Sequence, residues 1–393
     1  MRFAATLLPL ALTGCSTLPD PEPKPAAVAV MFDLETIRPV VVEGIADRGA
    51  ARMVAANDPV RVASISKLVM AIAAFELAAE GKVDPEADIS RYLGYAVRNP
   101  AFPDAPITLV QLLAHRSSLR DGAGYVIPLG DSLQAKLAEP EAWYPDAPPG
   151  EAPFEYANLG SPVVATVLEA ASGERYDRLV ERLVFAPLGI EACFNWIDCA
   201  PDFAARAVTL YRSTGEVARD DLRDRPPNCT FPVADGAACS LNDYVPGTNA
   251  SIFSPQGGLR IGMVDLARLG RVWLKNYPEN GLSELTYGEM LASMMAGSRE
   301  TEFFCGYGAG IQMIEVPGHG CNDTLVGDGV ARIGHAGEAY GLRSGLWVDP
   351  LAGTGIAYFT TAVPVRESED EGGFDPREIA LVHRALRSED ETP

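Results

Sequence analysis

The stretch from Arg61 to Lys82, RVASISKLVMAIAAFELAAEGK, is apolar on nearly every side of a helix. Ile65, Leu68, Val69, Ile72, Phe75 and Leu77 leave little polar face before Gly81 ends it, and such a helix belongs in the middle of a large domain. Its first turn nevertheless carries Ser64 and Lys67. A buried ammonium must be paired or neutralised, because desolvation disfavours its charged form. Residues three apart share one face of a helical turn. Ser64 and Lys67 therefore form a pattern suited to a hydroxyl nucleophile beside a base, at a helix N-terminus whose dipole favours developing negative charge. The same residues also fit an N-cap serine followed by a solvated lysine, and the rest of the chain must decide.

With 393 residues, 47% hydrophobic and 22% charged, the chain can bury one large core or two smaller ones. A net charge of −21 argues against nucleic acid and against docking on anionic head groups through charge. Arg2, the short apolar run FAATLLPLALT and the stretch LTGC (Leu12 to Cys15) resemble a bacterial lipoprotein signal, so residues 1–15 are expected to be targeting sequence with Cys15 lipidated. The proline-rich residues 16–27 then read as a tether that holds a folded domain off a membrane, outer-membrane sorting being the expectation.

Cys193, Cys199, Cys229, Cys239, Cys305 and Cys321 remain, and six thiols in an exported protein read as three disulfides. Sequence order suggests Cys193–Cys199, Cys229–Cys239 and Cys305–Cys321, although fifteen connectivities are open. No CxxC spacing occurs and the four histidines are scattered, so neither a metal centre nor a cofactor is expected.

Two further stretches bear on Ser64 and Lys67. FEYANLG places Tyr156 and Asn158 in a loop before a helix that ends at Gly173, and RIGHAGEAYGLRSGLWVDP places His335, Ala336 and Gly337 on a strand that turns into a second. With Ser-x-x-Lys at Ser64 to Lys67, Tyr-x-Asn at Tyr156 to Asn158 and His-x-Gly at His335 to Gly337, in this order, the chain resembles the serine β-lactamase and penicillin-binding protein superfamily. The likeness is to its class C β-lactamase, D,D-peptidase and esterase branch. It covers residues 28–387, with EGKVDPEADISRYL, ITLVQLLAHRSSL and SPQGGLRIGMVDLARL among the supporting segments.

The resemblance implies an α/β (α+β) fold of the β-lactamase/transpeptidase-like type, an antiparallel sheet flanked by helices plus a helical subdomain. The α/β part is expected at 28–80 and 250–390 and the helical part at 81–249, with the site in the cleft between them. AVAVMFDLE and RPVVVEGIAD would join the C-terminal strands in one sheet, and DPREIALVHRALR, capped by Asp375 with Pro376 at its first position, would cover one face.

The resemblance also assigns roles. Ser64 Oγ attacks a carbonyl to give an acyl-enzyme that water or an amine resolves. Either Lys67, kept partly neutral by burial, or Tyr156, its phenol lowered by Lys67, takes the serine proton. Asn158 orients Lys67 and hydrogen-bonds substrate, His335 is a substrate-side donor or proton relay, and the backbone N–H groups of Ser64 and Glu338, the residue after Gly337, form the oxyanion hole. His115 is expected at a helix end and outside the chemistry, and Gly257 and Gly258 as backbone requirements.

The family's β-lactamases usually carry Lys at the position of His335 and a small or hydroxyl residue at that of Glu338. A carboxylate facing the cleft would oppose an anionic substrate, and Arg343 is expected on the exposed side of its strand rather than compensating. Hydrolysis of an ester or amide, as in esterases or D,D-peptidases, is therefore favoured, with neutral acyl esters preferred to β-lactams. A class C-type β-lactamase and a non-catalytic peptidoglycan-binding envelope protein are the alternatives.

Overall fold

The computed structural model describes residues 24–222, 229–274, 283, 290, 304–318, 320–364 and 373–390. Cys15 and residues 16–23 of the tether lie outside them. Seven strands form one fully antiparallel sheet: β1 (Ala27–Asp33), β2 (Ile37–Glu43), β3 (Gly306–Gly308), β4 (Ile311–Ile314), β5 (Arg332–Ala339), β6 (Leu342–Asp349) and β7 (Thr354–Thr360). Their order across the sheet is β3-β4-β5-β6-β7-β1-β2, so the N-terminal hairpin is added to the edge of a C-terminal meander.

β1 lies inside that sheet, which explains why AVAVMF is an unbroken apolar run rather than an alternating one. Val28, Val30 and Phe32 face the main core, while Ala27, Ala29 and Met31 face a second cluster with Leu381, Val382 and Ala385. The fold thus starts earlier than the expected boundary at 28: Ala26 is already buried and Pro25 bridges Ile45.

Four helices organise the layers around the sheet: α1 (Ser66–Ala79), α2 (Gly160–Ser172), α3 (Met263–Gly270) and α4 (Pro376–Asp390). α4 supplies Leu381, Val382 and Ala385 to the outer cluster. Its start is held reciprocally, with Arg377 N–H donating to Asp375 Oδ1 and Asp375 N–H donating to Glu378 Oε2. Leu266, Ala267 and Leu269 of α3 pack in the main core on the opposite face of the sheet. α1 is buried at every position from Ser66 to Leu77, as its all-round apolarity demands. Region 81–249 is rich in helices but also carries short strands at Ala192–Phe194, Leu210–Tyr211 and Val217–Arg219. The disulfides are Cys193–Cys199, Cys229–Cys239 and Cys305–Cys321, each local in sequence.

Candidate active site

Ser64 does not sit in the first α-helical turn. It lies in a 3-10 turn, Ala63–Ile65, that runs into α1, and no side chain caps either start. The turn follows a short strand, Val60–Arg61, that pairs with Leu259–Ile261 and sets Arg61 opposite Arg260. Ser66 Oγ donates to Ala63 O at 2.6 Å and accepts from Leu259 N–H at 3.1 Å, tying the turn to that strand. Ala63, just before the serine, takes a left-handed φ of 47°, a costly conformation for a residue with a side chain and one that accumulates at functional sites.

β5 docks against this turn from the other side. A Cβ on Gly337 would lie 2.2 Å from the Val62 carbonyl oxygen, so only glycine permits the approach. Its cross-strand partner Ser344 donates to the same oxygen at 3.0 Å. The expectation for Gly257 and Gly258 divides: a Cβ on Gly258 would meet Phe253 O at 2.5 Å, whereas one on Gly257 would make only ordinary contacts at 3.8 Å.

Lys67 is fully buried and places Nζ 3.2 Å from Ser64 Oγ, 2.8 Å from Asn158 Oδ1 and 3.2 Å from Gln256 O. Burial pulls its pKa down to about 7, against the opposing pull of the Asp121 carboxylate. The partners decide what a neutral amine does here. The oxygens of Asn158 and Gln256 can only accept, so they take the two N–H bonds of the free amine and leave its lone pair for the serine hydroxyl.

Asn158 cannot turn its amide, because its Nδ2 donates to Asp121 Oδ2 at 2.9 Å. Asp121 also accepts from the backbone N–H groups of Asn158 and Leu159. Sequence reasoning missed this carboxylate, for it lies in no motif.

Tyr156 lies under Lys67, its ring centroid 4.6 Å from Nζ, and hydrogen-bonds Ser64. The expected lowering of its phenol is wrong in sign. Burial raises the pKa, the bond to Ser64 offsets this only in part, and Asp121 adds to the rise. Tyr156 is a neutral phenol at any physiological pH.

His335 also departs from expectation. It is fully buried and both ring nitrogens are used, Nδ1 at 2.6 Å from Ala336 O and Nε2 at 3.2 Å from Tyr307 Oη. Burial, then Lys67, push it down to about 3, against the bond to Ala336. It is not a substrate-side group, since it sits behind Tyr156 with ring centroids 6.4 Å apart.

Tyr307 continues to His115 Nε2 at 3.2 Å, and His115 Nδ1 accepts from Ala157 N–H at 3.1 Å. The backbone groups at both ends fix every proton in between. His335 Nδ1–H donates to a carbonyl, Tyr307 O–H to His335 Nε2, and His115 Nε2–H to Tyr307. His115, at the end of the short helix Leu109–Leu113, thus buttresses the Tyr156 loop.

Glu338 follows Gly337, so the two-residue period of a strand turns its side chain to the opposite face. There it pairs with its cross-strand neighbour Arg343, which lies 3.8 Å from Glu378 of α4. Arg343 is buried rather than exposed, and the carboxylate of Glu338 is compensated. The premise for disfavouring anionic substrates is therefore overturned.

Ser64, Tyr156, Asn158 and Gln256 open on a cleft of about 960 Å³. Against this geometry, the family model described as Beta-lactamase matches residues 25–380. The chain belongs to the Beta-lactamase family. Esterase EstB of Burkholderia gladioli is 31% identical to this family member over 174 residues, 41% of this chain and 44% of that protein. The D-alanyl-D-alanine-carboxypeptidase/endopeptidase AmpH of Escherichia coli (strain K12) is 32% identical over 140 residues, 34% and 35% of the two chains. The chain thus matches less than half the length of either relative.

Solved structures extend the likeness of fold to nearly the whole domain. The D-amino acid amidase of Ochrobactrum anthropi SV3, complexed with D-phenylalanine, gives a TM-score of 0.64 at 17% identity, covering 94% of this chain and 95% of that one. A class C beta-lactamase gives 0.64 at 14% identity, covering 94% and 92%.

Proposed function

We propose that this Beta-lactamase family member is a serine hydrolase that cleaves an ester or amide through an acyl-enzyme on Ser64, in the manner of an esterase or a D,D-peptidase. The observation that carries this reading is the lysine: a buried amine with two accepting carbonyls and a hydroxyl as its only polar partners among the described residues. Neutral Lys67 takes the Ser64 proton as Oγ attacks the substrate carbonyl. The oxyanion is received by the backbone N–H groups of Ser64 and Glu338, a reading supported by the close approach of Gly337 to Val62, two residues before the serine. Tyr156, a phenol that keeps its proton, passes it to the leaving group and recovers one from Lys67. Water or an acceptor amine then attacks the ester, and the proton path runs in reverse.

Names borne by relatives support the reaction type: an esterase, a carboxypeptidase and an amidase all act on acyl bonds. A fluorophosphonate probe should label wild-type protein at Ser64 and leave Ser64→Ala unlabelled. A folded wild type that no acylating agent labels would instead favour a binding protein.

We further propose export and lipid anchoring through Cys15, supported by the LTGC stretch and by disulfides that need an oxidising compartment. Intact mass of the mature protein should show a lipidated Cys15 and three disulfides.

A further inference from the structure

One end of the cleft is built from cations. Arg61, Arg219 and Tyr340 line it along with Ser64. The Arg61 and Arg219 guanidinium carbons lie 5.2 and 5.5 Å from the centroid of the Tyr340 ring, so one aromatic ring gathers both charges. Tyr340 and Gly341 form the two-residue turn between β5 and β6, with the left-handed φ values of 54° and 77° that such a tight hairpin requires, and this places the Tyr340 ring at the hairpin tip.

Compensation is incomplete. Arg61 is buried, with Nη1 donating to Gly257 O at 2.6 Å, but its Nε is 3.7 Å from Asp220 Oδ2 and makes no hydrogen bond. Asp220 gives its other oxygen to Arg260 at 2.9 Å and to the Trp196 N–H at 2.9 Å. Arg219 is exposed and has no ion pair among the described residues. Asp221 is the further carboxylate nearby, in an adjoining pocket that Arg219 also lines. Among the described residues, Arg61 and Arg260 thus share Asp220, and Arg219 adds a third guanidinium at the mouth of the cleft, inside a protein of net charge −21. Burial and then Arg260 pull Arg61 down to about 9, against the opposing pull of Asp220 and Tyr340, and it stays cationic at neutral pH.

We propose that this end of the cleft is an anion subsite and that the ester or amide cleaved at Ser64 carries a carboxylate, held by Arg61 and Arg219 beside Tyr340. The inference rests on the hydrolase reading for its reaction but not for its binding. Guanidinium groups suit it because they offer paired donors to a carboxylate and do not neutralise on burial as an ammonium does. Whether the carboxylate belongs to the acyl or the leaving group is decided by substrates that carry it on one side or the other.

Binding is tested without chemistry in Ser64→Ala protein, by calorimetric titration with the p-nitrophenyl monoester of adipic acid and with its neutral methyl diester. The acid is expected to bind at least about tenfold tighter, and 1 M salt should remove most of that preference. Arg219→Gln, an exposed change that the fold tolerates, should cut the acid-to-neutral ratio about fivefold, and Arg219→Glu should invert it. Equal affinity for the two ligands, or a preference that neither Arg219→Glu nor salt moves, would overturn the subsite. Fluorophosphonate labelling of wild-type Ser64 is read separately, so a failure of the hydrolase reading leaves the binding result standing.

Discussion

Two buried cations lie in the same cleft and have opposite fates. Lys67 is surrounded by a hydroxyl and two carbonyl oxygens, and burial takes its pKa down to about 7, within reach of its neutral form. Arg61 is buried to a similar extent beside Asp220 and Arg260, yet at about 9 it keeps its charge. An ammonium that loses its hydration gives up a proton and becomes a base, whereas a guanidinium delocalises its charge and keeps it. Desolvation therefore makes a catalyst at one end of the cleft and a recognition element at the other.

Exchanging the two chemistries should break the contrast. Lys67→Arg keeps the charge and the reach but removes the lone pair, so acylation of Ser64 should fall by at least about a hundredfold, close to the loss in Lys67→Ala. Turnover within a few-fold of wild type would show that a cation, not a base, is what Ser64 needs. In the wild type, the acylation rate should rise with pH through about 7 as the amine loses its proton; a rate that falls across this range would assign the base elsewhere.

The reverse exchange is milder. Arg61→Lys puts an ammonium where burial can neutralise it, and the preference for carboxylate-bearing esters should drop about fivefold in kcat/KM. An unchanged ratio would place the anion on Arg219 alone.

Stability should separate the two cations further. The folded chain binds fewer protons at Lys67 than the unfolded chain between about 7 and the ordinary 10.5, so stability from this group rises with pH over that window. Its cost is fully present below pH 7. Lys67→Met should consequently raise Tm more at pH 6 than at pH 9, and an equal gain at both would contradict a neutralised lysine.

The smallest effect belongs to Glu338. Its carboxylate is engaged by Arg343 on the outer face of β5, so Glu338→Gln should change the ratio of acidic to neutral ester turnover less than about twofold. A large gain for the acidic ester would mean that the side chain reaches the cleft after all.

That last residue shows where sequence reasoning ran short. The three motifs, the hairpins around them and the local cysteine pairs were legible because each depends on short spacings. Glu338 was legible too and was misread: with Gly337 turned inward against Val62, a period of two sends its neighbour outward. Arg343 went wrong for a different reason: its surroundings are set by α4, which begins more than thirty residues later.

Asp121, Tyr307 and Arg219 were out of reach. Each acts through a partner far along the chain, as Asp121 does through Asn158, and none belongs to a motif. The raised phenol of Tyr156 depends on burial among His115, Tyr307 and His335, which only the packed structure supplies.

The chain of hydrogen bonds from Ala157 through His115, Tyr307 and His335 to Ala336 bears on how this protein would be observed in solution. An inflection near neutrality in a pH–rate curve is habitually credited to imidazole. Here the two imidazoles beside the nucleophile are locked as single tautomers of opposite kind, one carrying its hydrogen on Nε2 and the other on Nδ1. In a nitrogen-15 spectrum they should give two fixed, complementary signatures that stay still from pH 5 to 9, while the amine resonance of Lys67 moves through that range.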